Sequence, residues 1–304
     1  LRDFSPGDGP KTPGGHGPDA IRALRTPVVD FVFRFLFTLL PAGYFAYARR
    51  AAADFRGGAP ESADDPSRAW LGRSLIATHV LLTAWLSWRE GHPAIGSGAH
   101  LLNALALCTF GVFLFASRGG RARALGMFVA SFGFVAAAAA VALGLEKTPY
   151  PSTRGALFGV HVGTAVFAAS VMLISGCAGV VYLVLERQMR RKTFGVLYRG
   201  LPNLSDLAAL NRRAAAAGFL AMTVGVNWGI WLAHRDATKG FSYLDPKVLA
   251  SIALWLHFGV VALPRKAAFV TGARAAKAAA FGLVLLVATL IVSAIPGLSF
   301  HKYS

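Results

Sequence analysis

Apolar runs long enough to cross a membrane alternate with short basic or glycine-rich stretches over most of the chain. Eight runs stand out, at 28–48, 69–88, 100–117, 124–145, 156–185, 214–233, 248–263 and 275–295. A bilayer core takes about 20 mostly apolar residues per helix. The pattern therefore predicts an all-α, polytopic integral membrane protein with about eight transmembrane helices. Arg34 and Arg73 interrupt the first two runs, and their long stems can carry the charge toward the interface. The seventh run is short. The fifth is long and is expected to tilt or protrude. Between the fifth and sixth runs, 203–213 reads as a separate short surface helix. Asn203 can cap it, Asp206 suits its positive end, and Leu204, Leu207 and Leu210 form one stripe.

Residues 1–27 break this pattern. They hold Pro6, Pro10, Pro13, Pro18 and Pro27 among many glycines, and such a stretch cannot bury a core. A flexible tail is expected there, followed by helices 1–4 in 28–150 and helices 5–8 in 151–304. No period of 20–50 residues recurs, which excludes a solenoid.

Charge adds an orientation. The chain carries 31 Lys+Arg against 14 Asp+Glu, a net +17. Only 15% of its residues are charged and 55% are hydrophobic, whereas an ordinary soluble domain is about 25% charged. The basic residues gather in alternate loops: Arg49, Arg50, Arg56 and Arg68, then Arg118, Arg121 and Arg123, then the stretch 187–213, then 265–277. By the positive-inside rule these loops are cytoplasmic, so both termini are expected on the outer, periplasmic side. The positive charge is thus explained by a lipid bilayer, and no nucleic-acid partner is expected. The two cysteines, Cys108 and Cys177, lie inside apolar runs and form neither a CxxC nor a CxxCH motif. A thiol relay and covalent c-type haem are both excluded.

The histidines carry the candidate chemistry. His79 lies mid-span in the second run and His257 within the seventh. His161 lies near the outer end of the fifth. His92, His100 and His234 fall in or beside outer loops, and His301 in the C-terminal tail. An ionisable residue inside a membrane is a functional candidate by default, with a hydrogen bond to a neighbouring helix as the plain alternative. Neutral imidazole is a good axial ligand for haem iron. His161 and His301 share the outer side, where two such ligands can clamp a flat macrocycle; any two outer histidines share that side. The outer loop between the sixth and seventh runs is aromatic and polar. Trp228 and Trp231 read as interfacial belt residues. Phe241, Tyr243 and Asp245 follow Gly240 and suit a platform for a planar ligand.

At this loop a family pattern emerges. Asp245-Pro-Lys247, Ser251-Ile-Ala-Leu-Trp255-Leu and Pro264-Arg265 occur in that order. Upstream stand Tyr182-Leu-Val-Leu-Glu186-Arg, Leu201-Pro-Asn-Leu-Ser-Asp-Leu207, Asn211-Arg, Gly218-Phe219 and Gly225. The chain closes on His301-Lys-Tyr303-Ser. Together these resemble the cytochrome c assembly family of CcsA and HemX type. The likeness covers about 155–304 well and 28–150 only in hydropathy.

The resemblance implies a haem-handling component of cytochrome c biogenesis in the bacterial inner membrane. Such a protein presents haem at the outer face for attachment to apocytochrome c, as part of a synthase with a CcsB/ResB-like membrane partner. By position, His161 and His301 become the iron-ligating pair, with Phe241, Tyr243 and Asp245 on the platform. The family's loop reads Trp-Gly-x-x-Trp-x-Trp-Asp, and the tryptophans before Asp245 are missing here. A membrane histidine of the family falls by register on Leu263, which makes His257 a displaced candidate. His79 is a candidate inner waypoint. Two alternatives go with the degenerate loop: a HemX-like, non-enzymatic regulator of haem synthesis, or a haem-free structural subunit of a membrane complex.

Overall fold

The computed structural model describes residues 27–56, 66–119, 125–145, 156–193, 198, 201–235, 242–263 and 272–294. Almost all of them lie in eight long helices: α1 (Pro27–Arg56), α2 (Pro66–Glu90), α3 (Gly98–Ala116), α4 (Gly126–Leu143), α5 (Ala156–Arg190), α6 (Leu204–Arg235), α7 (Pro246–Ala262) and α8 (Ala273–Ala294). A short 3-10 turn, Ser117–Gly119, follows α3. No strand occurs among the described residues. The sequence-predicted tail, residues 1–26 of it, lies outside the described residues.

Local signals set several helix ends. Ser97 caps α3 by accepting the His100 N–H at 3.2 Å. Asn203 caps α6, accepting the Asp206 N–H at 2.8 Å and donating its amide to the Asp206 carboxylate at 3.0 Å. Asp245 caps α7 through the Lys247 N–H at 2.8 Å, with Pro246 in the first turn, where its missing donor costs nothing. The expected separate helix over 203–213 is corrected in one respect. Those residues are helical, but they form the first turns of a continuous 32-residue α6. No glycine or proline interrupts 204–217, so nothing stops the backbone ladder at the membrane surface.

Six helices are long and apolar enough to cross a membrane by length and composition: α1, α3, α4, α5, α6 and α8. The other two sequence-predicted spans differ for separate reasons. Helix α7 is apolar but short. Helix α2 carries polar residues that it turns inward, where His79, Glu90 and Gly72 are buried. Polar groups shielded from lipid in this way are tolerated at membrane depth.

The helices pack in two groups. Helix α4 packs on α1 and α3, which meet through Tyr44, Tyr47 and Phe110, with α2 against α1 and α3; α5 to α8 form the second group, and α5 also contacts α3 and α4. One apolar core, around Tyr44, Phe110, Phe113 and Val129, fills the first group and extends to Ile174 and Leu207. A second, around Met172, Leu254, Phe258 and Leu286, fills the other. Small residues let the helices approach, as is usual where lipid offers no hydrophobic drive between helices. At Gly179 of α5 a side chain would lie 2.7 Å from the Ala276 carbonyl oxygen of α8. At Gly133 of α4 it would lie 2.6 Å from the Tyr44 ring of α1.

Candidate functional site

His161 sits five residues into α5, about 8 Å along the helix at 1.5 Å per residue. Its Nδ1 lies 2.9 Å from the Gly225 carbonyl oxygen of α6. A carbonyl only accepts, so Nδ1 carries the proton and Nε2 carries the lone pair. Nε2 makes no hydrogen bond among the described residues, and it is not among the fully buried polar atoms without a partner. The ring fits because α6 offers a notch. Gly225 and Gly229 lie four residues apart on one helix face. A side chain on Gly229 would lie 2.5 Å from His161 Cε1. Nearer the start of α5, Trp228 Nε1 donates to the Leu157 carbonyl at 3.1 Å, which fixes the N-terminal end of α5 to the C-terminal end of α6.

The C-terminal end of α6 and the turn into α7 form an aromatic and cationic rim. Trp228 and Trp231 are 5.3 Å apart, and the Arg235 guanidinium lies 5.3 Å over the Trp231 ring. His234 Nε2 and the Tyr243 hydroxyl are joined at 2.8 Å across the turn. Trp231 and Tyr243 are about half exposed and Leu244 more so, whereas Asp245 and Lys247 are buried. Of the site residues read from the sequence, His161, Tyr243 and Asp245 belong to this end of the molecule. His301 and Phe241 lie outside the described residues.

The other two candidates stand elsewhere. His257, on α7, binds the Ala278 carbonyl of α8 through Nε2 at 2.7 Å, with the Phe258 and Phe281 rings edge-on at 5.6 and 5.5 Å. His79 is fully buried on α2. Its Nδ1 meets the Tyr44 hydroxyl at 2.8 Å and its Nε2 meets Asn103 Oδ1 at 2.9 Å. Asn103 passes the network on to Thr83 at 3.0 Å. Both His79 nitrogens therefore have protein partners.

Sequence reasoning missed the glycine notch and a second polar cluster. The Glu90 side chain, at the end of α2, is fully buried. His100 Nε2 lies 3.3 Å from it, His92 Nδ1 3.7 Å and Arg89 3.9 Å, and Arg89 also donates to the Leu145 carbonyl at 3.2 Å. His79, Thr83 and Glu90 stand four and seven residues apart on α2, so they share one helix face. That spacing was the available signal. Among the described residues, no group of three or more His, Cys, Asp or Glu side chains is placed to hold a metal ion.

The fold defines a polytopic, all-α membrane protein, with an anchored imidazole and an aromatic rim at one end. A family model described as cytochrome C assembly protein matches residues 91–299. The chain belongs to that family. It is 25% identical over 272 residues to the cytochrome c biogenesis protein CcsA of Synechococcus sp. (strain WH7803), covering 78% of this chain and 84% of the relative. It is 24% identical over 271 residues to an uncharacterized 28.8 kDa protein from the nifR3-like 5′ region of Azospirillum brasilense, covering 87% and 93%.

Proposed function

We propose that this protein handles haem at the outer face of a bacterial inner membrane and presents it for attachment to apocytochrome c. Family membership and the CcsA relative support a role in cytochrome c biogenesis. The observation that carries the haem reading is His161. Its Nδ1–H is tied to a backbone carbonyl, which is the usual arrangement of a metal-ligating histidine, and Nε2 keeps its lone pair. The donor chemistry thus fits haem iron.

In this reading His301 would supply a second imidazole to hold the haem. Tyr243, Phe241 and Asp245 border the ring, with Tyr243 held by His234 and Asp245 fixed as the α7 cap. Haem brings the vinyl groups that become thioethers. The protein's part is to hold the iron, orient the ring and keep it at the membrane surface. A CcsB/ResB-like membrane subunit and apocytochrome c are the partners. His79 belongs to a helix–helix contact of the scaffold in this reading, since both its ring nitrogens have protein partners, and His257, tied to the Ala278 carbonyl through Nε2 alone, stays the displaced candidate on α7.

A second reading is favoured by Ser242 and Leu244, which stand where the family pattern has tryptophans. Here the chain is a HemX-like regulator of haem synthesis, or a haem-free structural subunit. Deletion of the gene, followed by haem staining of membrane c-type cytochromes and a measurement of total haem, separates them. Loss of mature cytochromes c with total haem unchanged, restored by the wild-type chain and not by His161→Ala, supports haem presentation. Unchanged cytochrome c maturation with altered total haem supports the regulator.

A further inference from the structure

The glycine notch of α6 is the most specific feature that no assignment of function uses. Gly225 and Gly229 flank Val226-Asn-Trp228, so two side-chain-free positions lie one above the other on α6. In membrane proteins such a pair usually admits another helix backbone. Here Gly229 admits the imidazole of His161, while Gly225 faces Thr164 and the Ala165 backbone of α5. A side chain at Gly229 would stand 2.5 Å from Cε1, 3.0 Å from Nδ1 and 3.3 Å from Nε2. The ring edge therefore occupies the space where that side chain would be. The Gly225 carbonyl that receives Nδ1–H is the same carbonyl to which a helical Gly229 N–H points. The notch and the acceptor are thus one structural unit.

The two glycines differ in what they touch. A side chain at Gly225 would meet Thr164 Oγ1 at 3.3 Å and the Ala165 backbone nitrogen at 3.7 Å, with no contact to the imidazole. Thr164 itself is turned back on its own helix, donating to the Val160 and His161 carbonyls. A side chain at Gly218, lower on the same interface, would meet Met172 at 2.7 Å. Gly218 therefore measures helix spacing alone, and Gly229 measures access of the ring to its acceptor.

We propose that Gly229 is a positioning residue: it admits the His161 ring to the Gly225 carbonyl and so fixes the tautomer in which Nε2 is the bare, ligand-facing nitrogen. A Cβ at this position displaces the ring from the notch. The Nδ1 bond is then lost, and with it the selection of Nε2. The assignment of haem as the ligand rests on the function proposed above; the tautomer does not.

The test uses the full chain in nanodiscs, labelled with 15N-histidine and free of haem. The His161 resonances are identified by their absence in His161→Gln. The wild-type chain should show a protonated Nδ1 and a bare Nε2 at His161. Gly229→Ala should lose that signature, whereas Gly218→Ala should keep it. On titration with ferric protoporphyrin IX, Gly229→Ala should bind about 10- to 100-fold more weakly, the usual effect of removing an outer-shell partner of a metal ligand. His161→Gly with imidazole in solution should bind equally well with or without Gly229→Ala, because free imidazole does not need the notch. A wild-type His161 protonated at Nε2 overturns the proposal without recourse to any variant. So does a Gly229→Ala chain that keeps the tautomer, or a Gly218→Ala chain that loses affinity as far as Gly229→Ala does. If the tautomer responds as stated while no variant, nor the wild type, takes up the porphyrin, the positioning role stands and the haem reading falls.

Discussion

Tyr44 of α1 and His79 of α2 are joined by a 2.8 Å hydrogen bond between the phenol and Nδ1, in the core of the first helix group. The rest of the network fixes its direction. Asn103 donates its amide to Thr83, which leaves Oδ1 to face His79 and makes Nε2 the donor. Nδ1 is then an acceptor, and the Tyr44 O–H donates to it, with the Ala106 carbonyl a longer second acceptor at 3.3 Å. Tyr44→Phe keeps the ring packing against Phe110 and leaves Nδ1 unsatisfied. A loss of about 1–3 kcal/mol is expected, the cost of leaving one buried acceptor unsatisfied. Unfolding in mixed micelles should show it, with porphyrin binding at the outer end unchanged. A variant as stable as wild type would mean that the bond contributes nothing.

Glu90 and His100 form a buried pair, with both side chains fully enclosed and 3.3 Å apart. Deleting the His100 ring leaves the Glu90 carboxyl without its nearest buried neighbour, at a cost of about 1–3 kcal/mol. His100→Ala should therefore destabilise the chain. Glu90→Gln combined with His100→Gln should recover part of the loss, since the buried carboxylate is gone and only Arg89, 3.9 Å away, keeps a charge. If the double variant is no more stable than His100→Ala, the pair is not coupled.

Two glycines of α5 should respond oppositely to alanine. At Gly179 the new methyl meets the Ala276 carbonyl oxygen at 2.7 Å and Ala279 Cβ at 2.9 Å. Two helix backbones must separate, at a cost of about 1–3 kcal/mol. Gly163 has nothing within 4 Å of its virtual Cβ. There alanine should be neutral or stabilise the helix by about 0.5–1 kcal/mol. Equal effects at the two positions would contradict the α5–α8 packing.

Reporter fusions test the orientation. Fusions after Lys192 and after Tyr303 should report opposite compartments, with Lys192 inside, because the stretch from Arg187 to Arg213 is strongly basic. The same compartment for both would contradict eight crossings with both ends outside.

Much of this fold could be read from hydropathy. All eight predicted spans coincide with a helix to within a few residues at most ends, because a bilayer forces backbone bonds to close within each segment. The exceptions have physical causes. Helix α6 begins at Leu204, about ten residues before its apolar stretch, since charged surface turns cost a helix nothing. Helix α2 reads as weakly apolar because His79 and Glu90 face inward, and inwardness needs the neighbouring helix to be seen. The site was legible only in part. His161 stood out by type and depth, yet its partner is a backbone carbonyl 64 residues away. Nothing in the sequence signals that an imidazole, and not a helix backbone, fills the space at Gly229.

In the proposed function, His161 Nε2 and His301 would together hold the haem. The most direct measurement is the absorption and electron-paramagnetic-resonance spectrum of the purified full chain with bound haem, compared with His161→Ala, His301→Ala and the tail control His16→Ala. The wild type and His16→Ala should give a low-spin, bis-histidine spectrum, and each of the other two should lose it, with imidazole in solution restoring it. A low-spin spectrum that survives both His161→Ala and His301→Ala would contradict the claim.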